Sequence, residues 1–515
     1  MVMKGYDPHT NGGQYLEDLA TSYWLSDALF TALEMDLFQT IDDFGIHGAM
    51  VFDLAQKLNT NENALSRYLE LLVSLGLLGH YQNVYYNQAI TKNYLLKTSP
   101  LYQGDSLLWR KSLADDWKTL KDSLKAGGRV NFLPADISED ALNRRRANYI
   151  KAMDNVAKLK ANNCTAFFDQ LSGAILDVGT GSGAMALAFL EAFPDTCATL
   201  LDIEQMLPQT QKLVEATAYG SRVCYHPANI LEPEWGLAKK YQLIILSNIV
   251  HAYAEAENEL VLKTAIKHLS DDGIILIHDF FTEHDPVKAH LSDINMFINT
   301  YNGKVFSSEW VINELRKNEL AVSPLIPLAT DTALIFAAKS DAILDTCAIT
   351  PLQKLIYPIK ALGFDQVVEI SPAAVVVSEF VQNKCRFGCD FYNQKNCDAN
   401  TLMINETKAL LTNYTKALLL KGEPPTRAFQ AKVLAAEQLA FTTGYHKAFA
   451  FWSGPCALCP DCNPETPCLK IKNRRPSMEG SGIDVFETVR ANGEILKTLA
   501  SPQELVKYYG LLLLS

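Results

Sequence analysis

The feature that most limits how this chain can fold is a glycine-rich turn after an apolar run, ILDVGTGSG, at residues 175–183. Because Gly179, Gly181 and Gly183 have no side chains, the backbone can adopt positive φ angles there and approach a ligand closely. Residues 184–192 then show helical spacing. A strand, a glycine turn and a helix in this order predict a nucleotide-like cofactor at the helix N-terminus.

A second apolar run, residues 198–201, ends at Asp202, about 20 residues after the turn, where a carboxylate can accept hydrogen bonds from two ribose hydroxyls. The glycine spacing is G-x-G-x-G, which differs from the dinucleotide fingerprint G-x-G-x-x-G. The pattern therefore favours a ribose-containing cofactor other than a dinucleotide. A related fold that binds another nucleotide, or none, stays open from this motif alone.

The bulk composition excludes several classes of protein. The chain has 515 residues, of which 48% are hydrophobic and 20% charged, which is ordinary for a globular protein of about three domains. Its net charge of −12 argues against nucleic acid or an anionic membrane as a partner, since both need a cationic face. No apolar run reaches the length of a membrane span, and the N-terminus lacks a signal-peptide pattern. We expect a cytoplasmic protein with reduced cysteines.

The motifs after the glycine turn resemble, in their order, the S-adenosylmethionine-dependent O-methyltransferases of the caffeate and hydroxyindole type. The matching segments are the turn with Asp202, then YHPANI at 225–230, the apolar run 241–246, NIVH at 248–251 and DDGIILIHD at 271–279. The resemblance implies an α/β fold in which an N-terminal helical winged-helix domain, which forms homodimers, precedes a Rossmann-like class I methyltransferase domain. It implies S-adenosyl-L-methionine as the cofactor and a small molecule as the acceptor.

The resemblance also implies roles for individual residues. His251 would be the general base, and Asp279 would orient it. The expected cofactor contacts are Asp177, Gly179, Gly181, Gly183, Asp202, Asn229, Ile230 and Ser247. Phe297, Trp310 and residues 149–153 are expected to line the acceptor pocket.

Several positions depart from the family pattern. Ala252 follows the histidine where the family usually has an acid, and residues 303–307 read GKVFS in place of GKERT. A less supported imidazole is a weaker base, which favours an easily ionised acceptor such as a thiolate, a selenolate or an acidic phenol. Asn229 stands in place of the usual Asp and Ser247 in place of a frequent Lys, although an amide oxygen can still accept a hydrogen bond from adenine.

Seven of the eleven cysteines lie between residues 385 and 468, which in a reducing compartment indicates a metal site. They form two groups: Cys385, Cys389 and Cys397, then Cys456, Cys459, Cys462 and Cys468. The spacing C-x2-C-x2-C predicts an iron–sulfur cluster of the [4Fe-4S] type, with a fourth ligand from Cys468 or from the first group. Zinc, which prefers paired C-x2-C knuckles further apart, remains the alternative.

The cysteine segment also resembles an uncharacterised prokaryotic family of predicted metal-binding proteins. The matching stretches are KCRFGC at 384–389, GPCALC at 454–459 and RPSMEGSGIDVF at 475–486. This resemblance implies a metal but no reaction. The neighbouring run KIKNRR at 470–475 either stabilises an anionic centre or forms a solvated charged loop.

We therefore expect a winged-helix dimerisation domain at residues 1–100, helices that cap the substrate pocket at 101–160, a methyltransferase domain at 161–340, and an α+β metal-binding domain at 350–515. A hairpin is expected at 81–87. The preceding helix, 61–75, has too few cations to bind DNA. Arg144, Arg145 and Arg146 are expected to form a solvated face.

The predicted function is methyl transfer to an oxygen or sulfur atom of a small molecule, with an appended iron–sulfur domain. The alternatives are a non-catalytic metal or redox sensor, or a redox protein that keeps the methyltransferase fold for ligand binding.

Overall fold

The computed structural model describes residues 8–134, 136–392, 394, 397, 402–459, 462, 466–494, 496, 498 and 506–515. The chain divides into two compact units, Met1–Ala348 and Ile349–Ser515. Among the described residues, none of the helices combines the length and the apolar character that a bilayer crossing requires.

The first unit begins with a helical region that contains a small antiparallel sheet. Its helices are α1 (Pro8–Glu34), α2 (Leu37–Asp43), α3 (Val51–Lys57), α4 (Glu62–Ser74), α5 (Ala89–Tyr94), α6 (Gly104–Ser112), α7 (Ala114–Trp117), α8 (Leu120–Ala126) and α9 (Glu139–Thr165). The strands β1 (Ala49–Met50), β2 (Leu78–Tyr81) and β3 (Val84–Asn87) pair in the order β1-β3-β2.

The predicted hairpin is present as β2 and β3, and it begins at Leu78 rather than at Tyr81. The two residues that connect the strands, Gln82 and Asn83, both have positive φ angles, which is the geometry that a tight two-residue hairpin turn requires. Helix α4 begins after Asn61, whose side chain accepts a hydrogen bond from the amide of Ala64.

The rest of the first unit is an α/β domain, which confirms the predicted Rossmann-like class. Its strands are β4 (Gly173–Val178), β5 (Thr196–Asp202), β6 (Val223–Pro227), β7 (Tyr241–Ser247), β8 (Leu269–Asp279), β9 (Ala321–Val322), β10 (Ile326–Pro327) and β11 (Ala333–Ala338). Its helices are α10 (Ala184–Ala192), α11 (Leu207–Glu215), α12 (Glu255–Lys267), α13 (Pro286–Asn299), α14 (Ser308–Lys317) and α15 (Asp341–Leu344).

The strand order explains where a ligand can bind. The strands run β10-β11-β8-β7-β4-β5-β6, and the strands from β4 to β8 pair in parallel, whereas β11 is antiparallel to β8. The central strands are buried on both faces, which accounts for their continuous apolar runs. The order reverses at β4, which lies between β5 and β7, and ligands bind at the carboxyl ends of strands at such a point.

The second unit is α+β. Its helices are α16 (Pro351–Lys360), α17 (Glu379–Gly388), α18 (Ile404–Leu411), α19 (Thr426–Thr442) and α20 (Val485–Ala491), and its strands are β12 (Gln366–Ile370), β13 (Ala417–Gly422), β14 (Phe449–Phe451) and β15 (Tyr508–Leu513). The strands pair antiparallel in the order β12-β13-β15-β14.

Both faces of this sheet are buried. Leu418 and Leu512 pack in one core with residues of α16 and α19, whereas Leu419 and Leu511 pack in another with residues of α18 and α20. Because successive side chains of a strand point to opposite faces, a strand covered on both sides needs an unbroken apolar run. The leucines at 511–514 satisfy that requirement.

Candidate active site and cysteine centre

The glycine turn is held in place by the carboxylate that was expected to bind ribose. Gly179, Gly181 and Gly183 all have positive φ angles, between 56° and 81°. The amide of Gly181 donates to Asp202 Oδ2 at 2.9 Å, and the amide of Ile203 donates to Oδ1 at 2.8 Å. A Cβ at Gly179 would lie 2.3 Å from the Ile249 side chain, whereas one at Gly181 would meet no described atom within 4 Å. The turn therefore leaves space next to Gly181 for a ligand.

Asp177 supports the turn from below. It is buried, and its Oδ2 accepts a hydrogen bond from the hydroxyl of Thr180 at 2.7 Å. Burial raises the pKa of Asp177 to about 7, although the bond from Thr180 opposes this shift. Burial also raises the pKa of Asp202, against the effect of the two backbone amides. Two carboxylates thus lie on either side of the turn.

The other predicted cofactor residues follow β6 and β7. Asn229 Oδ1 accepts a hydrogen bond from the amide of Leu231 at 3.1 Å, so the amide oxygen is used within its own loop. Ile230 is buried, and its Cδ1 lies 4.0 Å from where a Cβ at Gly179 would be. The Ser247 hydroxyl lies 2.9 Å from Nδ1 of His278. Asn229 and Ser247 therefore have protein partners of their own.

Two tyrosines that the sequence does not single out as cofactor contacts lie near Asp202. Partial burial, and then the charge of Asp202, raise the pKa of Tyr149, which is 38% exposed, and of Tyr253. Tyr149 comes from α9, and its ring meets that of Trp109 edge to face at 5.4 Å. Since one tyrosine is on the helical cap and the other on the loop after β7, the surroundings of Asp202 combine segments that are distant in sequence.

The structure brings the two predicted catalytic residues together. His251 follows β7, Asp279 ends β8, and His251 Nδ1 lies 2.5 Å from Asp279 Oδ1. The histidine side chain is 12% exposed and the carboxylate 1%. Burial would raise the pKa of Asp279, but the neighbouring His251 and the hydrogen bonds it accepts hold that pKa below its usual value. This pair has the geometry of a base and its orienting acid.

Backbone contacts fix this pair more firmly than the sequence indicates. The amides of Val250 and Phe280 donate to Asp279, each at 2.8 Å. Asn258 donates from Nδ2 to the carbonyl oxygens of Val250 at 2.8 Å and of Tyr253 at 3.1 Å, which holds the loop that carries the histidine. These hydrogen bonds hold the His251 imidazole in place, although Ala252 and residues 303–307 depart from the family pattern.

Behind the pair lies a buried neutral histidine. His278 Nε2 contacts the hydroxyl of Thr332 at 2.8 Å, while its Nδ1 contacts Ser247. Burial, and then the charge of Lys160, lower the pKa of His278 to about 4, so the ring is uncharged at neutral pH. Lys160 itself is ion-paired with Asp331 at 2.6 Å. We assign this group a positioning role for Ser247.

The residues expected to line the acceptor pocket differ in their surroundings. Ile150 and Ala152 are 1% and 0% exposed and belong to the core, because α9 packs that face against its own unit. Trp310 stacks on Phe306 with ring centroids 4.4 Å apart. Tyr149 is the member of the 149–153 segment that lies near Asp202.

The second cysteine group is assembled around Cys456. This thiol is partly buried and packs against the core of the second unit. Burial raises the pKa of this thiol, and the charges of Cys459, Cys468 and Cys462 act in the same direction. The amide of Leu458 is a hydrogen-bond donor to Cys456. Such bonds to sulfur are common in iron–sulfur proteins.

The first cysteine group lies at the end of α17. Cys385 is in its last turn and Cys389 follows the helix. Burial, and then the charges of Cys389 and Glu479, raise the pKa of Cys385. Within the described parts of the chain, no three His, Cys, Asp or Glu side chains are arranged so that they could hold a metal ion. The ligand set proposed from the spacing stays a prediction.

A buried glutamine on α19 fixes the loop that carries Cys456. Gln430 is fully buried, and its side-chain amide donates to the carbonyl oxygens of Ser453 at 3.2 Å and Pro455 at 2.9 Å. Its oxygen accepts a hydrogen bond from the amide of Ala457 at 2.8 Å. One side chain therefore holds the backbone on both sides of Cys456.

Glu479, from the RPSMEG stretch, contacts the loop that precedes Cys456. It accepts hydrogen bonds from Ser453 and Gly454 at 3.3 and 3.4 Å, and its charge also acts on Cys385. Burial raises the pKa of Glu479. In the same stretch, Arg475 forms a partly buried ion pair with Glu437 of α19. Arg475 therefore does not belong to a solvated loop, and its partner Glu437 lies outside every motif that the sequence analysis singled out.

Comparison with protein families divides the chain into three parts. Residues 17–97 match the O-methyltransferase dimerisation domain, and residues 113–316 match the O-methyltransferase domain. Residues 368–514 match a family described as predicted metal-binding protein. The two expected resemblances are thereby confirmed.

Individual relatives match the first part of the chain. The 3-hydroxy-5-methyl-1-naphthoate 3-O-methyltransferase of Streptomyces sahachiroi is 25% identical over 59% of this chain and 89% of its own length. Acetylserotonin O-methyltransferase of Bos taurus is 24% identical over 56% of this chain and 87% of its own length. The phenazine-1-carboxylate N-methyltransferase of Pseudomonas aeruginosa is 22% identical over 63% of this chain and 97% of its own length.

Solved structures agree on the fold. Human N-acetylserotonin methyltransferase in complex with S-adenosylmethionine is similar with a TM-score of 0.56 at 20% identity, over 64% of this chain and 97% of that structure. An O-methyltransferase family protein from Burkholderia thailandensis has a TM-score of 0.54 at 20% identity, over 63% of this chain and 97% of that structure.

Proposed function

We propose that this chain, which is an S-adenosylmethionine-dependent methyltransferase with O-methyltransferase and dimerisation domains, transfers the methyl group to an oxygen or sulfur atom of a small aromatic molecule. The observation that carries the proposal is the 2.5 Å contact between His251 and Asp279 at the ends of two parallel strands. Two of the relatives are named for aromatic carboxylates, a naphthoate and a phenazine carboxylate, which supports an aromatic acceptor.

The cofactor would be held by the residues around the glycine turn. The Asp202 carboxylate can accept hydrogen bonds from two ribose hydroxyls. The open space beside Gly181 would accommodate the part of the cofactor that lies against the backbone. Asn229, Ile230 and Ser247 border the same edge of the sheet. When bound, S-adenosylmethionine supplies an electrophilic methyl group.

The chain's own chemistry is proton removal. With Nδ1 of His251 donating to Asp279, Nε2 is left as the acceptor that can take a proton from a substrate hydroxyl or thiol. Asp279 stays ionised because its pKa is lowered, and it therefore stabilises the imidazolium that forms. The low exposure of both residues keeps bulk water from competing for the proton.

A radiolabelled methyl-transfer assay with phenol and thiol acceptors tests the proposal. We expect His251→Ala to lower turnover roughly 100-fold or more while leaving the affinity for S-adenosylhomocysteine unchanged, because a general base acts on the acceptor and not on the cofactor. The loss should shrink as the assay pH rises above the acceptor pKa. Full activity at every pH would contradict the base assignment, and cofactor binding without any transfer would favour a ligand-binding sensor or redox protein.

For the second unit we propose an iron–sulfur cluster held by Cys456, Cys459 and Cys462, with a fourth ligand from Cys468 or from the Cys385, Cys389 and Cys397 group. Soft thiolates are the donors that such a cluster requires, and the hydrogen bond from Leu458 to Cys456 fits it. Anaerobically purified protein should contain iron and acid-labile sulfide and absorb broadly near about 400 nm. Stoichiometric zinc without sulfide would overturn the choice of metal.

The matched dimerisation domain supports a homodimer formed through the N-terminal region. We further propose that this region is a winged helix that does not bind nucleic acid, and that the protein is cytoplasmic and independent of membranes. The acidic net charge supports the absence of nucleic-acid and anionic-membrane partners.

A further inference from the structure

A cavity of about 540 Å³ lies in the helical cap of the first unit, between α6 and α9. On α9 the lining residues recur every three or four positions, which places them on one face of the helix. The same spacing holds for the lining residues of α6. The residues that matter here are Leu108, Trp109, Ile137, Arg144, Arg145 and Lys151.

This cavity is cationic in an acidic protein. Arg144, Arg145 and Lys151 line it, against Asp105 as the acidic lining residue. Of the ion pairs formed by the described residues, none includes these three cations, whereas their neighbour Arg146 is bound to Glu139 at 3.1 Å. Arg144 is exposed, as expected for a solvated face, whereas Arg145 is partly buried and lies over the ring of Trp109.

An aromatic surface accompanies the charges. The guanidinium carbon of Arg145 lies 5.3 Å from the ring centroid of Trp109, and Trp109 in turn contacts the ring of Tyr149. The charge of Asp202 acts on Tyr149. Through Trp109, the aromatic surface of the cavity continues to Tyr149 of α9.

We propose that this cavity binds the carboxylate of an aromatic acceptor, and that Arg144 and Arg145 are specificity-determining residues. Guanidinium groups bind carboxylates with two parallel hydrogen bonds, and Trp109 with Leu108 and Ile137 offers an apolar surface for a ring. A ligand with both a carboxylate and an aromatic ring would pair with the arginines and pack against Trp109 at the same time. The inference rests on the proposed function and names the substrate class for that site.

The test compares 3-hydroxy-2-naphthoate with 2-naphthol, which differ only by the carboxylate. Calorimetry on the full chain, with S-adenosylhomocysteine present, should show at least about tenfold tighter binding of the naphthoate. Arg144→Gln with Arg145→Gln should remove that advantage and leave 2-naphthol binding unchanged. Arg146→Gln is the matched control, since this arginine is on the same helix but paired with Glu139; it should change neither affinity.

A second measurement does not depend on the variants folding. Raising the salt from about 0.05 M to about 0.5 M should weaken binding of the naphthoate and spare that of 2-naphthol, because only the former uses charge. Equal affinities for the two probes, or no naphthoate binding while S-adenosylhomocysteine binds, would overturn the inference. Failure of S-adenosylhomocysteine itself to bind would instead refute the proposed function.

Discussion

His251 and Asp279 lie at the ends of two buried parallel strands, whereas the cysteines lie on loops and at the end of a helix. At the His251 site, backbone amides already donate to the carboxylates, as Val250 does to Asp279 and Gly181 does to Asp202. At the cysteine centre, no three ligand side chains among the described residues are arranged to hold a metal. The two centres therefore differ in how much of the geometry exists before the ligand arrives.

The two centres differ because their residues are held rigid in different ways. Parallel strands are fixed by ladder hydrogen bonds and by side chains packed on both faces, so residues at their ends need little further support. A loop must gain its order from elsewhere. Gln430 and Glu479 supply part of that order for the bend before Cys456, and a metal would supply the rest.

Among the experiments that test this comparison, metal removal should have the largest effect. Stripping the metal with a chelator should reduce the amide hydrogen-exchange protection of Cys456, Cys459 and Cys468 at least about 100-fold, because binding energy at such a site is also ordering energy. Leu419, at the centre of the second unit's sheet, is the control and should stay protected.

In the same experiment, the amides of Gly181 and Val250 should be protected in cofactor-free protein, since both already donate to carboxylates. Rapid exchange of these two amides would show that the glycine turn also forms only with its ligand. The contrast between the centres would then disappear.

The pH dependence of the first unit should be the next largest effect. The pKa of Asp177 is about 7 in the folded chain against an ordinary value of 3.8, so its protonated form is favoured by folding. Its contribution to stability is complete below about pH 4 and is lost as the pH rises through 7. Between about pH 5 and pH 8 the loss should be about 2–3 kcal/mol.

Asp177→Asn should remove that loss, because asparagine does not titrate and can still accept the bond from Thr180. The measurement is thermal unfolding against pH, following the transition that S-adenosylhomocysteine shifts. If the unfolding temperatures of the variant and the wild type change with pH in parallel, Asp177 is already ionised in the folded chain.

Asp202→Ala should give the smallest effect. Calorimetry should show the affinity for S-adenosylmethionine falling about tenfold, or about 1.4 kcal/mol, as expected for the loss of one hydrogen-bonding partner. The exposed Asp195, before the other end of β5, is the control, and Asp195→Ala should leave the affinity unchanged. An unaltered affinity in Asp202→Ala would remove the ribose assignment.

Much of the site was predictable from local patterns. The helix expected at 184–192 is α10, and the strands that end at Asp202 and Asp279 are β5 and β8. These elements follow from periodicity and from glycine positions, which act over a few residues. The resemblance to the O-methyltransferases added the order of the motifs and the expectation that His251 pairs with Asp279.

The sequence by itself determined the α/β class, the methyltransferase domain and the cysteine spacing, because apolar periodicity and motif spacing are properties of neighbouring residues. Only the tertiary structure decided that Asn258 braces the histidine loop, that Gln430 and Glu479 hold the bend before Cys456, and that Arg144 and Arg145 face a cavity while Arg146 does not. Each of these contacts joins segments that are distant along the chain or depends on which face of a helix is covered. Such partners are selected by packing, which no local pattern encodes.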